Sequence, residues 1–328
     1  MPSSTTNGPF PFKGKVGMGM GPGPALIALD WGTTSLRAYL LDASGAMLDR
    51  KFEPLGILKV LDNDFDAAFE ETCAAWLGDS ATALPILASG MIGSRQGWLE
   101  APYVPCPAGL DQLASKFVSL TTKKGRRVVI VPGIRTENSA GVPDVIRGEE
   151  TQIIGALEAT RSTQLFVLPG THSNWAVVRD HRITRFATFM TGEVFAILKE
   201  HSILGRTMKS DYDDIEAFQQ GYEYAFDETA NPAGLLQQLF SARTLALFDE
   251  IPADALHAYL SGLLIGSEIR GGLELFGGNL DMIIVGEPAL AHRYQRGFNF
   301  SRKHTQIADD NVTPTGLFRL AQAGGLLT

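Results

Sequence analysis

Apolar residues along this chain come in short runs that end in small polar turns. The first run, Ala25-Leu-Ile-Ala-Leu-Asp30, closes on an acid and gives way to Gly32-Thr33-Thr34-Ser35. Leu36-Arg-Ala-Tyr-Leu-Leu41 follows, then the turn Asp42-Ala-Ser-Gly45 and a third extended run to Phe52. Short strands joined by glycine turns predict an antiparallel three-stranded meander. Phe65, Ala68, Phe69, Cys73 and Trp76 recur at helical spacing, so 64–77 reads as a helix. Residues 85–89 and 127–131 read as buried strands, and 149–161 as a helix. The stretch 90–112 is irregular, rich in Gly, Pro and aromatics, and long enough to suggest function rather than connection.

The same grammar then restarts. An apolar strand at 164–168 ends in Pro169-Gly-Thr-His-Ser173, and strands at 174–178 and 182–186 follow, joined by a polar turn. Helices fill 193–276, a late buried strand at 281–285 runs into Gly286-Glu287-Pro288, and a last helix covers about 314–323. Aligning Gly32-Thr33-Thr34-Ser35 with Gly170-Thr171-His172-Ser173 gives an offset of 138 residues, too long for a solenoid and right for a duplicated domain. The predicted architecture is α/β, with two facing β-β-β-α-β-α-β-α halves at 25–150 and 151–328. Residues 1–24, with six Gly and five Pro and almost no apolar periodicity, read as a disordered tail.

Composition narrows the options. The 328 residues are 45% hydrophobic, enough for a proper core, and hold no apolar run long enough to span a membrane. A net charge of −8 without a basic cluster argues against nucleic acid as a partner. It does not argue against phosphates, which backbone amides bind locally. Cys73 and Cys106 show no pairing pressure, and the tail lacks a secretory apolar core, so a reduced, cytoplasmic protein is expected. The oligomeric state stays open, a homodimer among the options.

In each half the first strand hands over to the second through a turn of Gly, Thr and Ser. Glycine permits close backbone approach, and exposed amides with hydroxyls wrap phosphate oxygens. An ordinary hairpin would explain one such turn; two, each after an apolar strand, point to phosphate. Asp30, just before the first turn, is placed to hold Mg²⁺ directly or through water. No Walker loop and no dinucleotide-binding glycine fingerprint competes. No His or Cys spacing suits zinc.

Asp30-Trp-Gly-Thr-Thr-Ser-Leu-Arg-Ala38 resembles the first phosphate motif of the actin, sugar-kinase and Hsp70 superfamily. Pro169-Gly-Thr-His-Ser-Asn-Trp175 is similar to its second, and Ile283-Ile-Val-Gly-Glu-Pro-Ala-Leu290 stands in the place of its adenosine motif. More narrowly, that second motif together with Ser89-Gly-Met-Ile-Gly-Ser-Arg-Gln-Gly-Trp98, Arg147-Gly-Glu-Glu-Thr-Gln152 and Phe189-Met-Thr-Gly-Glu193 resembles the 2-dehydro-3-deoxygalactonokinases. The likeness runs over roughly residues 25–325. It implies an actin-like ATPase fold of two RNase H-like domains, with ATP and substrate in the cleft between them and the last helix packing back on the first. It also implies phosphoryl transfer from MgATP to the terminal C6 hydroxyl of 2-dehydro-3-deoxy-D-galactonate, in galactonate catabolism.

On that reading the ATP phosphates lie against Gly32, Thr33, Thr34, Gly170, Thr171 and Ser173, with adenosine near Gly286 and Glu287. His172 either donates to a phosphate oxygen or contacts backbone in its own turn. Related sugar kinases place a catalytic acid where Glu149 and Glu150 stand, so one of the two is the candidate base. Alternatively both complement the dipole of the helix they open. A guanidinium matches a substrate carboxylate through two parallel hydrogen bonds. Arg95, in the glycine-rich block after a strand end, is the first candidate and Arg135 the second. Ser89, Gly90, Met91, Trp98 and Glu100 accompany Arg95, although Trp98 reads more simply as packing. Thr191, Gly192 and Glu193 read more simply as a helix cap than as cleft. The alternatives are another sugar-acid kinase of the superfamily and two rivals of other kinds, a polyphosphate-type phosphatase with water as acceptor and a non-catalytic nucleotide switch or filament subunit. The block at 89–98 fits neither rival.

Overall fold

A computed structural model describes residues 23–77, 84–158, 161–227, 229 and 233–327. The tail expected at 1–24 thus falls outside the described residues as far as residue 22. The first half contains β1 (Pro24–Trp31), β2 (Leu36–Asp42), β3 (Met47–Glu53), α1 (Phe65–Cys73), β4 (Ile86–Ser89), β5 (Tyr103–Pro105), α2 (Leu110–Ala114), β6 (Val118–Thr121), β7 (Arg127–Ile130), β8 (Gly133–Glu137), β9 (Pro143–Ile146) and α3 (Glu149–Ala156). The second contains β10 (Thr163–Leu168), β11 (Ser173–Arg179), β12 (Arg182–Phe189), α4 (Thr191–His201), α5 (Ile215–Phe226), α6 (Leu235–Gln238), α7 (Ser241–Leu247), α8 (Leu256–Phe276), β13 (Met282–Ile284), α9 (Pro288–Phe300), β14 (Thr305–Ile307) and α10 (Val312–Ala323).

Two mixed sheets carry the molecule, ordered β3-β2-β1-β4-β7-β6 and β12-β11-β10-β13-β14. In each, the first strand is antiparallel to its meander neighbour and parallel to the strand on its other side. The order β3-β2-β1-β4-β7 recurs as β12-β11-β10-β13-β14, the duplication that the 138-residue offset predicts. The central strands are continuous apolar runs because both their faces are covered. Leu26 and Ala28 of β1 share a core with Phe166 and Leu168 of β10 and with α3 and α10. Ile27, Leu29 and Trp31 face α1, while Leu165 and Val167 pack with α5 and α8. Alternation therefore puts the Asp30 side chain on the same face as Leu26 and Ala28, at the end of the shared core.

Several details depart from the sequence reading. The helices expected at 64–77 and 149–161 stop at Cys73 and Ala156, where Leu157 turns extended. After β4 no full helix forms: the 90–112 stretch holds a single 3-10 turn, Met91–Gly93, the strand β5 and the start of the short α2. A separate three-stranded sheet, β5-β8-β9, and the edge strand β6 were not foreseen, since these strands are short and only partly buried. Nor were β14 and α9. The start of α9 was nonetheless signalled: Glu287 accepts a hydrogen bond from the Leu290 amide at 3.1 Å, and Pro288 opens the helix.

The last helix returns to the first sheet. α10 packs on α3 and against β1, β2 and β4. Its backbone touches that of α3: a Cβ on Gly155 would lie 1.7 Å from the Val312 carbonyl oxygen, and one on Gly316 2.0 Å from that of Thr151. Arg319 donates to the carbonyls of Ile154 at 2.6 Å and Leu157 at 3.3 Å, satisfying the C-terminal end of α3 with a cation. Among the described residues no helix is long and apolar enough to cross a membrane.

Candidate active site

The ends of β1 and β10, the loop after β4 and the start of α3 border one cleft between the two sheets. Asp30, Gly32, Thr33 and Thr34 stand on one side and Gly170, Thr171 and His172 on the other, with Gly286 and Glu287 beyond them. Gly90, Met91 and Glu149 complete the floor. Asp30 accepts from the Arg37 guanidinium at 3.2 Å through Oδ2. Burial raises the Asp30 carboxyl above its usual range, and Arg37 pulls it back. The two Gly-Thr turns expected from the sequence thus face each other, and Arg37, which the sequence reading passed over, holds the acid between them.

The two glutamates separate cleanly. Gly148 has a φ of +106°, and a Cβ there would lie 3.2 Å from the Gly90 Cα, so glycine is needed where α3 meets the loop after β4. Glu149 lines the cleft and accepts from the Arg147 amide at 2.9 Å. Its carboxyl is raised, first by burial and further by the Asp30 charge, while His172 lowers it. Glu150 turns inward, fully buried, and accepts from the Gly148 amide at 2.7 Å and from the Thr151 hydroxyl at 3.1 Å. Burial, reinforced by Glu149, pushes Glu150 up to about 8.

The second turn rests on a buried acid that no motif announced. Ser173 Oγ, Trp175 Nε1 and Tyr294 OH donate to the Glu268 carboxylate at 2.6, 2.8 and 2.5 Å. The Thr191 hydroxyl joins them. Ser173 was expected to offer its hydroxyl to phosphate; instead that hydroxyl is buried against Glu268, tying β11 to α8 and α9. His172 meets Glu193 at 2.6 Å, so Glu193 belongs to the cleft rim as well as to the first turn of α4. A Cβ on Gly192 would lie 2.3 Å from the Gly170 carbonyl oxygen, which fixes α4 against the turn. Beyond Gly170 a largely apolar recess opens among α4, α8 and α9, walled by Phe195, Ser261, Leu264, Leu290 and Arg293. These residues are scattered over three helices, and only the fold assembles them.

On the other side the cleft continues into a side pocket formed by Met91, Ser94, Arg95, Gln96, Glu100, Tyr103 and Arg147. Arg95 stands at its mouth, its side chain 87% exposed and 3.5 Å from Glu100. Ser89 is buried beneath the loop. Trp98 packs edge-on against Trp31 and beside Phe69. Arg135 lies on β8, paired with Glu137 at 2.5 Å, and borders neither cleft nor side pocket.

This arrangement has counterparts. A family model described as 2-keto-3-deoxy-galactonokinase matches residues 30–320. The 2-dehydro-3-deoxygalactonokinase of Escherichia coli K12 is 31% identical over 298 residues, 90% of this chain and 97% of that protein. The chain belongs to the 2-keto-3-deoxy-galactonokinase family. A crystal structure from Sinorhizobium meliloti, described as a protein of the same activity, superposes with a TM-score of 0.81 at 33% identity, covering 91% of this chain and 98% of that one. Component A of (R)-2-hydroxyglutaryl-CoA dehydratase from Acidaminococcus fermentans shares the fold alone, at 10% identity and a TM-score of 0.50 over 90% of this chain and 95% of that one. The fold is therefore the actin-like one that the phosphate motifs imply.

As a member of the 2-keto-3-deoxy-galactonokinase family, the chain is a sugar kinase that uses ATP. Kinase chemistry asks little covalent help of the protein beyond positioning, charge neutralisation and a base. A stability experiment isolates Glu150 from that chemistry. The folded protein holds the Glu150 proton to about 8, whereas the unfolded chain releases it near 4.5. Its contribution to stability is thus full below 4.5 and lost as pH rises through about 8. Glu150→Gln keeps an acceptor for Gly148 and removes the buried charge. Its unfolding free energy should match wild type at pH 4 and exceed it at pH 8.5 by on the order of a few kcal/mol, with a correspondingly higher melting temperature. A differential scanning calorimetry series across pH showing parallel curves for the two proteins would rule the buried-proton account out.

Proposed function

We propose that this enzyme transfers the γ-phosphoryl group of ATP to the terminal C6 hydroxyl of 2-dehydro-3-deoxy-D-galactonate, with Glu149 as the base and Asp30 as the metal-holding acid. The supporting observation is that both carboxylates line one cleft whose sides carry the two Gly-Thr turns. Backbone amides at Gly32, Thr33, Thr34, Gly170 and Thr171 take the phosphates, and His172, held by Glu193, donates to them. Gly286, Glu287 and the recess around Phe195 and Arg293 take the adenosine. Glu149 removes the proton from the attacking hydroxyl, its raised pKa keeping it basic enough near neutrality.

The donor set suits Mg²⁺. Asp30 Oδ2 is engaged by Arg37, while Oδ1 has no protein partner among the described residues and can accept an ion or its water. An ion held there would take its remaining positions from water and phosphate oxygens. When bound, Mg²⁺ neutralises charge on the phosphates. The two sheets with the helices packed on them, α10 (312–323) counted with the first sheet rather than with the half 151–328, form the two lobes that close to keep water from the reaction. The free cysteines Cys73 and Cys106 support a reduced, cytoplasmic setting, and a net charge of −8 without a basic cluster speaks against a nucleic-acid partner.

A coupled ADP-release screen across 2-keto-3-deoxy sugar acids, neutral hexoses and acceptor-free controls tests this reading. ADP should appear only with a sugar acid, and fastest with the galacto configuration. Equal rates with neutral hexoses, or rapid release without acceptor, would overturn it.

A further inference from the structure

The side pocket contains a charge without a partner. Arg147, between β9 and α3, is only 7% exposed, yet no carboxylate pairs with its guanidinium among the described residues. Nη2 donates to the Ala101 carbonyl at 2.7 Å, and the guanidinium carbon lies 4.4 Å from the centroid of the Tyr103 ring. Nε and Nη1 have no hydrogen-bond partner. Glu149, two residues away, bonds the Arg147 backbone amide and leaves the side chain free. Beside it Ser94, 8% exposed, holds a hydroxyl that is equally unpartnered. Gly93 accommodates the arrangement, since a Cβ there would stand 2.9 Å from Nη1.

Burying a cation without a counter-ion is costly, and an anionic ligand in the adjoining pocket would supply the missing charge. Arg147 also borders both compartments, the cleft with Asp30 and Glu149 and the pocket with Ser94 and Tyr103. We infer that Arg147, assisted by Ser94, receives the carboxylate of the acceptor and sets the preference for sugar acids over neutral sugars. The inference rests on the sugar-acid kinase reading above and names the residue that gives that reading its selectivity. Arg95 is solvent-exposed at the mouth and already paired with Glu100, so it guards the entrance rather than gripping the anion. Tyr103 covers one face of the guanidinium.

Calorimetric titration of the intact enzyme with 2-dehydro-3-deoxygalactonate and with a neutral 3-deoxy sugar, both without nucleotide, separates the outcomes. Wild type should bind the acid much more tightly. Arg147→Met and Arg147→Lys should weaken acid binding roughly 10- to 100-fold, the loss of one charge-assisted hydrogen bond or more, while the neutral sugar and ATP change less than about threefold. Arg95→Met should keep the acid preference. Free Arg147→Met should also melt no lower than wild type, because an unpaired buried charge has been removed; a scaffold arginine would lower the melting temperature instead. If Arg147→Met retains the acid preference while wild type shows it, this inference fails and the kinase reading stands. If wild type itself does not prefer the acid, both fail.

Discussion

Replacing Glu149 with glutamine should cut turnover by 10²–10⁴-fold, the scale of one acid–base group, while leaving the KM for the sugar acid nearly unchanged. The amide keeps the shape and an acceptor for the Arg147 amide, so the fold and the pocket survive. What it cannot do is take a proton. The pH dependence makes the test specific. Burial holds the Glu149 carboxyl above the ordinary carboxylate range, and Asp30 adds to that. A base must be ionised to work, so wild-type kcat should fall as pH drops through this raised pKa, above the usual value near 4.3. In Glu149→Gln the residual rate should have lost that acid limb. A glutamine variant with normal turnover would place the base elsewhere. Glu150, buried and turned from the cleft, would then be no substitute.

Asp30→Asn should fold normally and lose a comparable 10²–10⁴-fold in turnover, because an amide cannot balance a divalent cation. Asparagine still accepts from Arg37 through its carbonyl oxygen, so the local geometry is kept and the charge alone is deleted. The measurement is kcat across a Mg²⁺ titration, with circular dichroism as the control for folding. Excess Mg²⁺ should recover little of the loss. Near-wild-type turnover at saturating Mg²⁺ would remove Asp30 from the metal's surroundings.

Much of this site was legible as sequence because it sits on turns between strong apolar strands. Asp30, the two Gly-Thr turns and Gly286-Glu287 all lie at strand ends, where composition changes abruptly, and all border the cleft. The choice between Glu149 and Glu150 was not legible. Both open the same helix, and which carboxylate faces the cleft depends on how that helix seats against the loop after β4, a contact between segments far apart in sequence. Ser173 misled because a strand's first residue alternates inward, where Glu268 awaits it from a helix 95 positions away. Phe195, Ser261 and Arg293 left no trace for a similar reason, since helices contribute single residues to a shared wall. Arg147 was visible inside a family motif, but its meaning depends on burial without a counter-ion, which no pattern of letters conveys.

The return of α10 to the first sheet has a consequence for how the chain comes into being. Leu317, Leu320 and Ala321 belong to the same core as Leu26, Ala28 and Ile153, and Arg319 closes the far end of the helix that begins with Glu149. Domains made first on the ribosome ordinarily fold first. Here the amino-terminal lobe cannot finish its own interior until more than 300 residues have been translated. The second lobe is an insertion between the first lobe's body and its last helix. The helix that carries Glu149 therefore acquires its fixed seat only once residues 312–323 have been made and have packed against it.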